Sequence, residues 1–151
     1  MPKVYLASPL GFSPEYRSYL ERIQARLHQL GCEVFDPWAQ PFSRAIREAS
    51  KIEDYHERLA AFSRLAQEIG AANERGIVSS DILLAVLDGA EVDSGCASEV
   101  GFAVGIGRRA YGLRTDWRDS GEFGLPLNLQ VLHFIEKSGG RLFRSIGEIE
   151  F

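Results

Sequence analysis

Two carboxylates, Asp93 and Glu99, lie close together in a segment of small residues, DSGCASEVGFAVG, at positions 93–105. Apolar residues continue at helical spacing beyond Glu99, which predicts a turn that becomes a helix near Gly95. Glu99 then lies in the first turns, where the positive end of a helix favours an ionised carboxylate. Two carboxylates that converge on one pocket suit cleavage of a glycosidic bond. The same residues also fit an ordinary helix start, with Asp93 or Ser94 as the cap.

Alternating strands and helices surround this segment. Strands are predicted at 4–8, 32–37, 80–89 and 108–115, with 141–145 as a fifth strand or an edge. Helices are predicted at 13–31, 59–78, 95–106 and 127–140. Residues 38–58 are predicted to form a loop with a short helix, which is a candidate flap. This alternation predicts a single α/β domain over 1–151, a doubly wound parallel sheet of flavodoxin-like or Rossmann-like type with about five strands and helices on both faces. Ligands bind beyond the carboxyl ends of such strands, where the loops 8–12, 36–40 and 88–99 meet.

Composition excludes several classes of function. The net charge is −4 and no basic block stands out, so a nucleic-acid polymer is not an expected partner. No apolar stretch reaches the roughly 20 residues that span a bilayer, and no signal peptide is expected. Two cysteines without CxxC spacing predict a reduced, cytoplasmic protein. Three scattered histidines show no metal-ligand spacing, and the arginines at 108, 109, 114 and 118 are predicted on the surface.

Five segments carry a resemblance to a known family. In order along the chain they are VYLASPL, SDILLAVLDG, DSGCASEVGFAVG, GLRTD and PLNLQV. They resemble the nucleoside 2-deoxyribosyltransferase family. The resemblance implies transfer of 2-deoxyribose between nucleobases in two steps that together retain configuration, with 2′-deoxynucleosides and nucleobases as small-molecule partners. Glu99 matches the nucleophile that attacks C1′, expels the base and holds a deoxyribosyl ester, and no cofactor or metal is implied.

Further site residues follow from the same resemblance. Asp93 matches a carboxylate that binds sugar hydroxyls and orients the nucleophile. Tyr5 matches a tyrosine that hydrogen-bonds near the nucleophile, although it also fits a core aromatic. Gln40 matches a glutamine that contacts the base. Asn128 matches an asparagine that a neighbouring subunit contributes to the pocket, which implies a homo-oligomer, either a dimer or a multiple of dimers. Asn128 also fits a cap of the last helix.

The chain departs from the family pattern at Asn73. Some members carry an aspartate there as the acid for the leaving base, and an amide cannot deliver a proton at neutral pH. Asp88 is a candidate substitute or base contact. Cys96 stands where members often have threonine.

Small and aromatic neighbours complete the predicted site. Ser94 and Gly95 leave space for a ligand beside Glu99. Phe12 and Trp38 lie at the presumed mouth of the pocket, where either residue can stack on a base or pack under the flap.

Three other functions compete with transfer. A related group hydrolyses 2′-deoxynucleoside 5′-monophosphates and tends to have a small hydroxyl residue in place of Asp93. Because a carboxylate repels a phosphate, Asp93 favours a nucleoside with a free 5′-hydroxyl. A non-catalytic nucleotide sensor would bind without turnover, and a plain nucleoside hydrolase would let water intercept the ester.

Overall fold

A computed structural model describes all 151 residues, and its centre is a parallel sheet of five strands. The strands are β1 (Lys3–Ala7), β2 (Glu33–Phe35), β3 (Ile82–Val86), β4 (Arg109–Leu113) and β5 (Leu142–Phe143). They are arranged in the order β2-β1-β3-β4-β5. This is the flavodoxin-like order, in which the direction of winding reverses between β1 and β3. The predicted doubly wound α/β fold is confirmed.

Helices cover both faces of the sheet. They are α1 (Arg17–Gln29), α2 (Ser43–Ser50), α3 (Tyr55–Val78), α4 (Ser94–Gly105) and α5 (Leu129–Lys137). Successive strand residues point to opposite faces, so β1 contributes Val4 and Leu6 to a core with α1, and Tyr5 and Ala7 to a core with α3, α4 and α5. Every helix is too short or too polar to cross a lipid bilayer.

The largest differences from the predicted elements lie between residues 37 and 58. The segment contains a 3-10 turn at Pro37–Ala39 and the helix α2, and α3 already begins at Tyr55. Asp54 caps α3 by accepting a hydrogen bond from the Glu57 N–H at 2.8 Å. An N-cap of this type starts a helix before its apolar periodicity becomes visible, which explains why the prediction began at residue 59.

A buried arginine ties two loops together at the carboxyl edge of the sheet. Arg114 follows β4 and is fully buried, contrary to its predicted surface position. Its Nη1 donates to the carbonyl of Leu87 at 2.5 Å, and its Nη2 donates to the carbonyl of Arg118 at 2.8 Å and to Ser120 Oγ at 3.1 Å. The loop after β3, which leads to Asp93, is thereby fastened to the loop after β4.

Candidate active site

A cavity of about 360 Å³ opens at the carboxyl edge of the sheet, beside the reversal point between β1 and β3. Its volume lies within the range of small-molecule sites. The loop after β1, the segment from Pro37 to Ile46, the middle of α3 and the start of α4 form its walls. The lining residues are Ser8, Phe12, Pro37, Trp38, Gln40, Phe42, Ser43, Ile46, Ile69, Asn73, Asp93, Gly95, Cys96 and Glu99.

The Glu99 carboxylate is held from the sheet side by a tyrosine. Tyr5, fully buried on β1, donates its hydroxyl hydrogen to Glu99 Oε1 at 2.6 Å. Burial and the nearby Glu99 charge raise the pKa of Tyr5, so the phenol keeps its proton and remains the donor. Burial also raises the pKa of Glu99, while the hydrogen bond from Tyr5 opposes that effect.

The position of Glu99 corrects the expectation drawn from the helix dipole. Helix α4 begins at Ser94, so Glu99 lies in its second turn. The dipole effect falls off within the first turn, and burial therefore determines the direction of the pKa shift. An ionised Glu99 is held by its hydrogen bond rather than by the end of the helix.

Asp93 serves both as a helix cap and as part of the cavity wall. Its Oδ2 accepts a hydrogen bond from the Cys96 N–H at 2.9 Å, which fixes the carboxylate at the start of α4. Both interpretations of this segment are therefore compatible, since one side chain caps the helix and also faces the cavity. The charge of Asp93 adds to the rise in the pKa of Glu99.

Aromatic residues form another part of the lining of this cavity. Trp38 donates its indole N–H to the Ser8 carbonyl at 2.8 Å, and Phe12 packs against its ring edge to face, with centroids 4.6 Å apart. Trp38 also requires glycine at position 11, where a Cβ would lie 1.9 Å from the ring. Phe42, Ile46 and Ile69 extend the apolar surface. A flat aromatic ligand suits such a wall.

Two side-chain amides, Gln40 and Asn73, belong to the cavity lining, together with the hydroxyls of Ser8 and Ser43. Gln40 donates one Nε2 hydrogen to the Asp36 carbonyl at 3.2 Å, so its oxygen and its second Nε2 hydrogen are left for a ligand. Asn73 Oδ1 is buried without a hydrogen-bond partner. The lining includes no lysine, arginine or histidine. The cavity therefore offers carboxylates and amides to a ligand, without a cation that would neutralise a phosphate.

Comparison with known proteins identifies the family. The model of the family described as "Nucleoside 2-deoxyribosyltransferase" matches residues 4–130. This chain belongs to the nucleoside 2-deoxyribosyltransferase family. A comparison with curated proteins gives no significant match.

Solved structures share the fold of this family member. A conserved protein from Enterococcus faecalis V583 is 26% identical, with a TM-score of 0.71 over 98% of this chain and 94% of that chain. A 2-desoxiribosyltransferase from Leishmania mexicana is 22% identical, with a TM-score of 0.65 over 96% and 91% of the two chains. A 2-deoxyribosyltransferase from Bacillus psychrosaccharolyticus is 21% identical, with a TM-score of 0.62 over 99% and 93%.

Most of the residues predicted for the site meet at this cavity. Six of them line it, and Tyr5 contacts Glu99 from the sheet; the six are Phe12, Gln40, Asn73, Asp93, Gly95 and Glu99. Three predicted residues, Ser94, Asn128 and Asp88, do not line this cavity. Ser94 is an exposed first-turn residue of α4 outside the cavity wall. Asn128 caps α5 and lines a separate cavity with Ala97 and Glu122.

Asp88, the candidate substitute acid or base contact, lies outside the lining of this cavity. Its Oδ1 accepts the backbone N–H groups of Thr115 and Asp116 at 2.5 and 2.7 Å, and its Oδ2 accepts the Tyr19 hydroxyl at 2.8 Å. Oδ2 also accepts the Thr115 hydroxyl at 3.1 Å, so four hydrogen bonds within the protein occupy this carboxylate and join the loops around it.

Several lining residues were not predicted. Ser8, Phe42, Ile46, Ile69 and Cys96 complete the lining. Ile69 and Asn73 are one helical turn apart on α3, and that spacing could have placed both on the cavity side. Phe42 and Ile46 show the same spacing at the start of α2, in a segment whose charge obscured its periodicity.

Proposed function

We propose that this protein is a nucleoside 2-deoxyribosyltransferase that moves 2-deoxyribose from a 2′-deoxynucleoside to another nucleobase. The observation that carries the proposal is the half-buried Glu99 carboxylate, held by the Tyr5 hydroxyl at 2.6 Å and facing a cavity with an aromatic wall. A carboxylate fixed in this way is a nucleophile that needs no further positioning.

The reaction proceeds by two displacements at C1′. Glu99 attacks C1′ of the bound deoxynucleoside, the C1′–N bond breaks, and the electron pair goes to the base. A second base then attacks the deoxyribosyl ester and releases Glu99. Because each displacement inverts C1′, the product retains the original configuration and the kinetics are ping-pong. Tyr5 directs one carboxylate oxygen, which leaves the other for the sugar.

Asp93 and the neighbouring walls favour a nucleoside over its 5′-monophosphate. Asp93 binds sugar hydroxyls as an acceptor, with Oδ2 fixed by the Cys96 N–H. A phosphate dianion near this carboxylate would be repelled, and the lining provides no positive side chain to compensate. The aromatic residues Phe12 and Trp38 stack on the base, and Gln40 binds its edge.

We also propose that the active enzyme is a homo-oligomer in which Asn128 reaches the site of a neighbouring subunit. Within one chain Asn128 lines a different cavity from Glu99, so it can contribute only across an interface. Mixing inactive Glu99→Ala subunits with Asn128→Ala subunits should restore part of the activity if sites are shared. Absence of recovery, together with a monomer in light scattering, would contradict the shared site.

The decisive experiment follows the products of deoxyinosine with and without free adenine. Deoxyadenosine that forms only with adenine present would establish transfer. Hypoxanthine released at one rate in both cases, without deoxyadenosine, would establish a hydrolase. Consumption of the 5′-monophosphate but not of the nucleoside would contradict the preference assigned to Asp93. Binding without any product would identify a sensor. Glu99→Ala is the control that should abolish all turnover.

A further inference from the structure

The cavity contains no group suited to protonate a departing base. The titratable residues in its lining are Asp93, Cys96 and Glu99. Glu99 is the proposed nucleophile, and Asp93 accepts the Cys96 N–H as the cap of α4, so it acts there as an acceptor. Burial raises the pKa of the Cys96 thiol, and the Glu99 and Asp93 charges raise it further, so this thiol is a poor acid at neutral pH. The Tyr5 proton is committed to Glu99.

Asn73 is the polar residue that α3 contributes to the cavity lining. Its Oδ1 is buried and has no hydrogen-bond partner. Because that oxygen is shielded, the polar atom that Asn73 offers to a ligand is Nδ2, which carries two N–H donors. A side-chain amide can stabilise negative charge on a neighbouring atom by hydrogen bonding, but it gives up no proton.

We propose that the base leaves as an anion that accepts a hydrogen bond from Asn73 Nδ2, without being protonated by the protein. This inference rests on the proposed transfer reaction. As Glu99 Oε bonds to C1′, the C1′–N bond breaks and its electron pair stays on the base. The anionic base accepts the Asn73 N–H at a ring nitrogen or carbonyl oxygen, and it takes its proton from water on release. The incoming base follows the reverse course and loses its N–H proton to water.

This mechanism defines the class of substrate. Without an acid, the barrier depends on how well the base itself carries negative charge. The protein therefore acts best on 2′-deoxynucleosides whose free bases have an acidic ring N–H, such as halogenated pyrimidines or purines with electron-withdrawing substituents. Bases that depend on protonation in order to leave, such as unsubstituted adenine, are poor donors but remain acceptors once deprotonated.

The first test uses the unmodified protein. The assay compares two series of deoxynucleosides as donors, each in the presence of the same saturating acceptor base. One series is deoxyuridines substituted at C5, and the other is purine deoxyribosides substituted at C6. We expect log kcat/KM for base release to rise steeply with the acidity of the free base within each series. A rate independent of that acidity would overturn the inference, because an acid would then be neutralising the leaving group.

Variants of Asn73 supply the second test. Asn73→Asp places an acid at the base and should raise kcat/KM for the poorest leaving base by about 10-fold or more, since a positioned acid contributes roughly 10²–10⁴-fold. It should also flatten the dependence on base acidity. Gln67→Glu makes the same amide-to-acid change on an exposed part of α3 and should leave that dependence unaltered. Asn73→Ala should slow the poorest leaving bases most, because they carry the most charge to stabilise.

Failure of this inference can be distinguished from failure of the proposed function. If no deoxynucleoside in either series transfers its sugar, the proposed function fails. If transfer occurs, depends on Glu99 and is equally fast for all bases, only the inference fails. If Asn73→Asp is inactive because of its charge beside Glu99, the wild-type series and Asn73→Ala still decide the question.

Discussion

The hydrogen bond from Tyr5 to Glu99 should determine how far Glu99, the proposed nucleophile, is ionised. Tyr5→Phe removes the hydroxyl at 2.6 Å from Oε1 and keeps the buried ring that stacks on Phe35. A hydrogen bond to a charged group contributes about 1.5–3 kcal/mol, which corresponds to about a 10- to 150-fold change in the ionised fraction of a carboxyl that is mostly protonated. Burial already raises the pKa of Glu99, and losing the donor raises it further.

The assay is the pH dependence of kcat/KM for base release, measured for the wild type and for Tyr5→Phe. We expect the variant to lose about 10- to 150-fold of its activity on the acid side and to recover most of it at alkaline pH, where Glu99 ionises without assistance. Identical profiles would refute a role in ionisation. An equal loss at every pH would assign Tyr5 to orientation alone. Retained thermal stability would confirm that the ring still packs.

Three further changes test other features of the structure. Glu99→Gln should raise the melting temperature at pH 7, because burial raises the pKa of Glu99 and its ionised form destabilises the folded state as the pH rises. The gain in melting temperature should vanish below about pH 4, where both side chains are neutral. An equal gain at both pH values would contradict this explanation. Gly11→Ala should displace Trp38 and raise KM, whereas the control Gly70→Ala, whose Cβ would meet nothing within 4 Å, should leave KM unchanged. Arg114→Met should lower the free energy of unfolding by about 2–5 kcal/mol in urea denaturation, since buried carbonyls lose their donors; a loss below about 0.5 kcal/mol would contradict the role of Arg114.

The order of strands and helices could be predicted from the sequence because each buried strand is a short apolar run and each long helix has apolar periodicity. Glu99 and Asp93 could also be placed together, since six residues at a turn-to-helix junction keep them within one local segment. The predicted ends of helices and strands were less accurate than their order. In α3 the cap Asp54 begins the helix in a polar stretch that carries no periodic signal.

Residues joined across the fold could not be predicted in the same way. Arg114 looks like surface charge in the sequence, yet backbone carbonyls from two other segments surround its guanidinium. Asp88 follows β3 at the carboxyl edge of the sheet, where a ligand site was predicted. Its carboxylate instead accepts hydrogen bonds from the backbone N–H groups of Thr115 and Asp116, which follow β4. Local sequence gives the position of such side chains along the chain, whereas their partners depend on which loops the sheet order brings together.

The two halves of the cavity come from different kinds of structure. Tyr5, Asp93 and Glu99 are fixed by β1 and the start of α4, within the packed core of the domain. The aromatic and apolar wall between Trp38 and Ile46 comes from a connecting segment that packs mainly on α3. Under the proposed function, substitutions in that segment should change which base is accepted without disturbing Tyr5, Asp93 and Glu99. A library of variants confined to the exposed positions of residues 38–46 would therefore vary the aromatic and apolar wall while Tyr5, Asp93 and Glu99 keep their positions.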